Sequence, residues 1–150
     1  MGLRWFLATV HLLALGIGLG AVWVRAQALS GRLDQDGLRR VFSADTWWGI
    51  AAALWISTGL WRLLGSTDKA ADYYLANHVF WTKMALLLGI LAMEVRPMVT
   101  LIRWRKAVAA GAVPDTSVAG RLARVSRGQA VLVVLMVLAA AAMARGLGAR

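Results

Sequence analysis

Apolar residues in this chain fall into four long blocks. They run from Trp5 to Val24, from about Thr46 to Leu64, from about Val79 to Ile102 and from about Gln129 to Ala144. The first carries no charge and is broken only by Thr9 and His11. The second has Arg62 near its end, the third contains Lys83, Glu94 and Arg96, and the fourth has no charge before Arg145. A helix of about 20 residues crosses the hydrocarbon core. Lipid offers no partner to an exposed main-chain N–H or C=O, so each block must satisfy its own backbone as a helix. The pattern predicts an all-α fold, an integral membrane bundle of four transmembrane helices in a single domain over residues 1–150, with helices near 4–25, 46–64, 79–102 and 128–145.

The first block also resembles a secretory signal, because Arg4 precedes it and Ala26-Gln27-Ala28 is a small-residue triplet. Its apolar stretch of about 20 residues exceeds the ~7–15 of a signal core, and Arg25 stands directly before the triplet, so it reads as a helix. In the first connection, Gly31 to Ser43, the residues Leu38, Val41 and Phe42 alternate with Arg39 and Arg40 and predict a short interfacial helix. Ser43 or Asp45 is the expected cap of helix two. The second connection, Gly65 to Asn77, holds Ser66, Asp68, Asp72, Tyr73 and Tyr74, with the tyrosines suited to the membrane interface. The third, Arg103 to Gly128, contains the turn signal Pro114-Asp115, and Pro97 should kink or end the regular part of helix three.

Composition agrees with the blocks. Apolar residues make up 60% of the chain, more than an ordinary soluble domain carries. Seventeen Lys and Arg face seven acidic residues, a formal charge of +10. The cations border apolar blocks, which points to anionic lipid headgroups and away from nucleic acid. Eleven of them (Arg25, Arg32, Arg39, Arg40, Arg96, Arg103, Arg105, Lys106, Arg121, Arg124 and Arg127) follow helices one and three. Five (Arg4, Arg62, Lys69, Arg145 and Arg150) lie on the other side. The bias predicts cytoplasmic first and third connections and extracytoplasmic termini, in a bacterial inner (cytoplasmic) membrane. The eight tryptophans mostly flank the blocks, as an aromatic belt would. Cysteine is absent, which excludes disulfides, thiolate metal sites, iron–sulfur clusters and covalent haem attachment. Two histidines are too few for a histidine-rich metal site.

Ionisable groups inside a membrane helix are costly and point to function. His11, Gly18 and Arg25 recur at seven-residue steps, within about 40° of one face. His11 is therefore a candidate axial haem ligand or proton-handling group, set against a histidine merely hydrogen-bonded across the bundle. Lys83 and Glu94, eleven residues apart, share a face about 16 Å apart along the axis, too far for a direct pair. Lys83 either serves the site as a second candidate catalytic group or snorkels to the outer interface. Glu94 is expected to pair with Arg25 or Arg96. Arg62 stands in line with Trp48 and Trp55 and reads as an interface anchor. His78, one residue before helix three, reads as an interfacial histidine and a secondary candidate for haem ligation.

The stretches His11 to Arg25, Asp45 to Arg62, Tyr73 to Lys83 and Glu94 to Arg105 resemble a bacterial family described only as predicted membrane proteins, a domain of unknown function. More distantly, the plan is similar to the HemJ-type protoporphyrinogen oxidases, small membrane proteins with a histidine early in helix one, an arginine at its end and a lysine in helix three. His11, Arg25 and Lys83 match those positions in order and approximate spacing. The resemblance implies a b-type haem or porphyrin site and oxidation of a porphyrinogen. There His11 would ligate iron, while Arg25, Arg62 and Lys83 would neutralise propionates or steer protons. Two other readings stay open: a non-catalytic accessory or scaffold subunit of a larger membrane complex, and a small-solute transporter. Four helices without repeats or broken-helix pairs lack the usual sign of alternating access, although a homodimer would supply the missing half.

Overall fold

The computed structural model describes residues 2–65 and 76–146. Ser66, Asp68, Lys69, Asp72, Tyr73, Tyr74 and Arg150 lie outside the described residues. Four helices make up the described chain, α1 Gly2–Ser30, α2 Gln35–Leu64, α3 His78–Ala109 and α4 Ala119–Ala144. Among them α1, α3 and α4 are long and apolar enough to cross a membrane. α2 has the length, but Asp36, Arg39, Arg40 and Asp45 crowd its first third.

Every helix except the second half of α2 is longer than its apolar block, for a local reason in each case. α1 continues past Val24 because Arg25 is neutralised inside the bundle and Leu29 is buried. α3 runs through Pro97, which is buried, and ends only at Ala109; Gly111, in the left-handed region at φ 74°, then turns the chain. α4 begins nine residues before the expected 128, with Ala119, Leu122 and Ala123 turned inward and Arg121, Arg124 and Arg127 outward. The expected separate interfacial helix in the first connection is absent. Residues 35–43 are the first turns of α2, capped by Asp34, whose side chain accepts from the Gly37 amide at 2.9 Å, and neither Ser43 nor Asp45 is the cap. The apolar face of this stretch is taken up by protein: Leu38 and Val41 join Leu29, Leu101, Trp104 and Leu122 in one cluster. In the third connection the exposed Asp115 accepts from the Ser117 amide at 2.9 Å; bonds from Ser117 hold its carboxyl below the usual carboxylate range.

The helices form the sequence α2–α1–α4–α3 around the bundle. α1 packs closely on both α2 and α4, and α4 on α3. α1 and α2 run antiparallel over their full length: Leu29 meets the Leu38 and Val41 cluster, Arg25 meets Asp45, and His11 meets Thr58. Gly18 permits the close approach between them, since a methyl group there would already touch Ala51 at 3.4 Å and Trp48 at 3.5 Å. A second cluster, Ala21, Val22, Trp48, Ile90, Ala130, Val133 and Met136, fills the middle of the bundle. Between α2 and α3 the backbones stay apart, and side chains span the gap.

Little of the apolar side-chain surface is covered by protein. Leu12 is 65% exposed, Leu88 66% and Leu138 60%. In water such surfaces would be an aggregation hazard; against lipid they are solvated. Trp5, Trp23, Trp47, Trp61 and Trp81 are exposed, whereas Trp48 and Trp104 are buried and Trp55 is half-buried. Three of the eight tryptophans are thus interior groups and not belt residues.

Candidate functional site

Two polar centres lie along the seam between α2 and the rest of the bundle. The stripe of His11, Gly18 and Arg25 places them: all three residues face α2, and fourteen residues of α1 separate the histidine from the arginine, about 21 Å along the axis.

At the inner centre the Arg25 side chain is fully buried and reaches every other helix. Nη1 donates to Asp45 and to Glu94, both at 2.8 Å; Nη2 donates to Glu94 at 2.9 Å and to Gln129 at 2.8 Å; Nε donates to Ser126 at 3.1 Å. Glu94 also accepts from Trp48 Nε1 at 3.0 Å and Gln129 Nε2 at 2.7 Å, and the latter amide lies 3.2 Å from the Ile90 carbonyl. Asp45 receives a second cation, Arg105, at 2.9 Å. Two arginines and two carboxylates therefore balance to zero, with the bidentate Arg25–Glu94 fork as the strongest member. Glu94 pairs with Arg25, while Arg96 is exposed and outside the network. Asp45, Ser126, Gln129 and Arg105 complete a centre for which the sequence offered only Arg25 and Glu94. The available signals were the carboxylate of Asp45 beside an apolar block and the lone amide of Gln129 at the head of another.

At the outer centre His11 Nδ1 lies 2.8 Å from the Thr58 hydroxyl. That hydroxyl also lies 2.7 Å from the Leu54 carbonyl, with Trp55 O at 3.1 Å. The Thr58 hydroxyl therefore links the His11 ring to the backbone of α2, and which of the two carries the shared proton depends on the imidazole tautomer. The ring stacks on Trp55, with centroids 5.6 Å apart and planes at 29°. Gly59 makes room for it: a methyl group there would sit 3.2 Å from His11 Cε1.

His11 forms part of the wall of a cavity of about 180 Å³ between α2 and α3, together with Arg62, Lys83, Met84, Met136 and Met143. Lys83 is half-buried and turned into this cavity. The indole N–H of Trp55, in the same wall, is buried and makes no hydrogen bond among the described residues. An aligned methionine was not evident from the sequence, because Met84, Met136 and Met143 meet only through the packing of α3 on α4. His78, by contrast, is exposed at the start of α3 and away from the cavity lining, and Arg25 belongs to the inner centre. A smaller apolar void of about 50 Å³ shares Trp55, Ile56 and Leu87 with the cavity and ends at Glu94. No cluster of three or more His, Cys, Asp and Glu that could hold a metal occurs among the described residues.

Long apolar helices, a lipid-facing surface of leucine and valine, and ionised groups gathered inward define a helical membrane protein. The chain belongs to the family of predicted membrane proteins of unknown function (DUF2214), whose family model matches residues 3–148. No curated protein and no solved structure matches it.

Proposed function

We propose that this protein is a four-span protein of the bacterial cytoplasmic membrane that binds haem b or a related tetrapyrrole in the outer cavity, with His11 as the ligand. α2 crosses with α1 because it lies against that helix from end to end, and the distribution of Lys and Arg sets the first and third connections on the cytoplasmic side. The observation that carries the ligand reading is the placement of His11, a half-buried imidazole anchored to Thr58 and Trp55 in the wall of a cavity that Arg62 and Lys83 also line. A metal-ligating imidazole is commonly oriented by a hydrogen bond through its other ring nitrogen, and the Thr58 contact at Nδ1 is suited to that part.

The residues present suit a tetrapyrrole in chemistry. His11 would supply a nitrogen ligand, a thioether from Met84, Met136 or Met143 would be chemically compatible as a further ligand, and Arg62 and Lys83 would face the carboxylates. Gly59 and Trp55 hold the imidazole in place. When bound, the haem would supply one-electron chemistry that the side chains lack. The cavity volume of about 180 Å³ is below the ~300–1,000 Å³ of ligand pockets. The macrocycle therefore needs part of the seam between α2 and α3, the neighbouring pair without close backbone packing.

The test is the absorption spectrum of detergent-purified protein from haem-sufficient cells. A Soret band that disappears in His11→Ala, with the protein still folded, is the expected result. A colourless preparation that also gives no Soret shift on titration with haemin would sink the proposal.

A further inference from the structure

The seam between α1 and α2 has an outward side as well as the side facing the core. A groove runs along it, with Ile17, Gly20 and Val24 on one wall and Arg40, Ser43 and Trp47 on the other. These positions keep the i, i+3/i+4, i+7 spacing of a single helix face. A second depression continues the groove toward the first connection and adds Gln27, Gly31 and Arg32; Val24 and Arg40 belong to both. The volumes are about 320 and 370 Å³. From Ile17 to Gly31 the trough is about 21 Å long at 1.5 Å per residue.

Its chemistry changes along that length. The half nearer the bilayer centre is apolar, and its floor is open at Gly20, where a methyl group would meet nothing within 4 Å. The other half carries Ser43, Gln27 and two arginines. Arg40 is exposed and takes part in none of the ion pairs of the described residues. Arg32 reaches Asp34 only at 3.9 Å, with the two side chains 92% and 52% exposed. An arginine outside the ion pairs of the described residues and a second in only a long, exposed pair, at the mouth of an open apolar groove, are complementary to a phosphodiester that carries a hydrocarbon tail.

We propose that this trough binds one anionic phospholipid, its phosphate between Arg40 and Arg32 and an acyl chain along Val24, Gly20 and Ile17. Free phosphate would leave the apolar half unused. A symmetric second copy would bring the same arginines toward each other. The assignment is independent of the outer cavity.

The experiment is native mass spectrometry of the delipidated full chain in detergent, titrated with equal amounts of phosphatidylglycerol and phosphatidylcholine. One phosphatidylglycerol should bind in preference. Arg40→Gln should weaken it about fivefold, from roughly 1 kcal/mol per surface cation, and Arg32→Gln similarly, with phosphatidylcholine unchanged. Gly20→Leu, which fills the apolar half, should weaken both lipids. Arg121→Gln, an exposed arginine of α4 outside the trough, should bind as the parent does and controls for folding. Equal binding of the two lipids, or an Arg40→Gln variant as selective as Arg121→Gln, overturns the proposal. So does displacement of phosphatidylglycerol by equimolar inorganic phosphate, or a dimer that Gly20→Leu abolishes in place of a lipid adduct. If Arg40→Gln fails to fold, Arg32→Gln and Gly20→Leu decide the matter.

Discussion

Arg25→Met removes the fully buried member of a set of four charges. In the parent, Arg25 and Arg105 balance Asp45 and Glu94. After the substitution one carboxylate has no counter-charge, and Arg105, whose side chain is 39% exposed, is already committed to Asp45. Removing one partner of a buried pair costs about 3–5 kcal/mol, and the acceptors on Gln129 and Ser126 also lose their donor. The assay is unfolding by titration with sodium dodecyl sulfate, followed by the fluorescence of Trp48 and its neighbours. The informative variant is the double one. Arg25→Met with Glu94→Gln returns the centre to neutrality and keeps acceptors for Trp48 and Gln129, so it should be more stable than Arg25→Met alone. The expected coupling between the two sites is about 2–3 kcal/mol. A single variant within about 1 kcal/mol of the parent, or a double variant whose losses simply add, would refute the view that Arg25 is held by charge balance.

Thr58→Val removes the hydroxyl that His11 Nδ1 contacts at 2.8 Å, at a cost of about 1–3 kcal/mol; nitrogen-15 spectra should show one predominant tautomer in the parent and a changed Nδ1 signal in the variant, and an unchanged spectrum would contradict the contact. Gly37→Ala drives a methyl group into the Arg32 carbonyl, a backbone atom that cannot yield, and should lose more than about 2 kcal/mol. Gly128→Ala makes a close contact of 2.8 Å, but with the mobile end of Met93; helix propensity offsets the strain, and the unfolding midpoint should move by less than about 1 kcal/mol. The chain has no cysteine background, so single cysteines report topology directly: Asp36→Cys and Ala112→Cys should react with an impermeant thiol reagent only from the cytoplasmic side and Arg145→Cys only from outside. Labelling of Asp36→Cys from outside reverses the orientation.

The helices were legible because hydrophobic length is a local property and lipid leaves the backbone no alternative. Their ends were not. Leu38, Val41 and Phe42 beside Arg39 and Arg40 have the same period whether the apolar face meets headgroups or Leu101 and Trp104, and only the tertiary neighbours distinguish these cases. The Arg25–Glu94 pair could be anticipated because an isolated charge in a bilayer needs an opposite one. Gln129 and Ser126 carry no such demand, and their part in the network depends on which way α4 is turned. At the outer centre His11 stood out as a lone imidazole, whereas the value of Thr58 lies in a hydrogen bond that spans 47 positions of chain.

The four charges of the inner centre also divide evenly between the two halves of the polypeptide. Arg25 and Asp45 belong to the first pair of helices and pair with each other there, whereas Glu94 and Arg105 of the second stand eleven residues apart on α3 and meet their opposite charges only across the bundle. Docking of the two hairpins then adds the crosswise contacts, Arg25 to Glu94 and Arg105 to Asp45, which a mispaired hairpin would not find. Halves severed between α2 and α3 and produced together should accordingly find one another and be isolated as a single assembly.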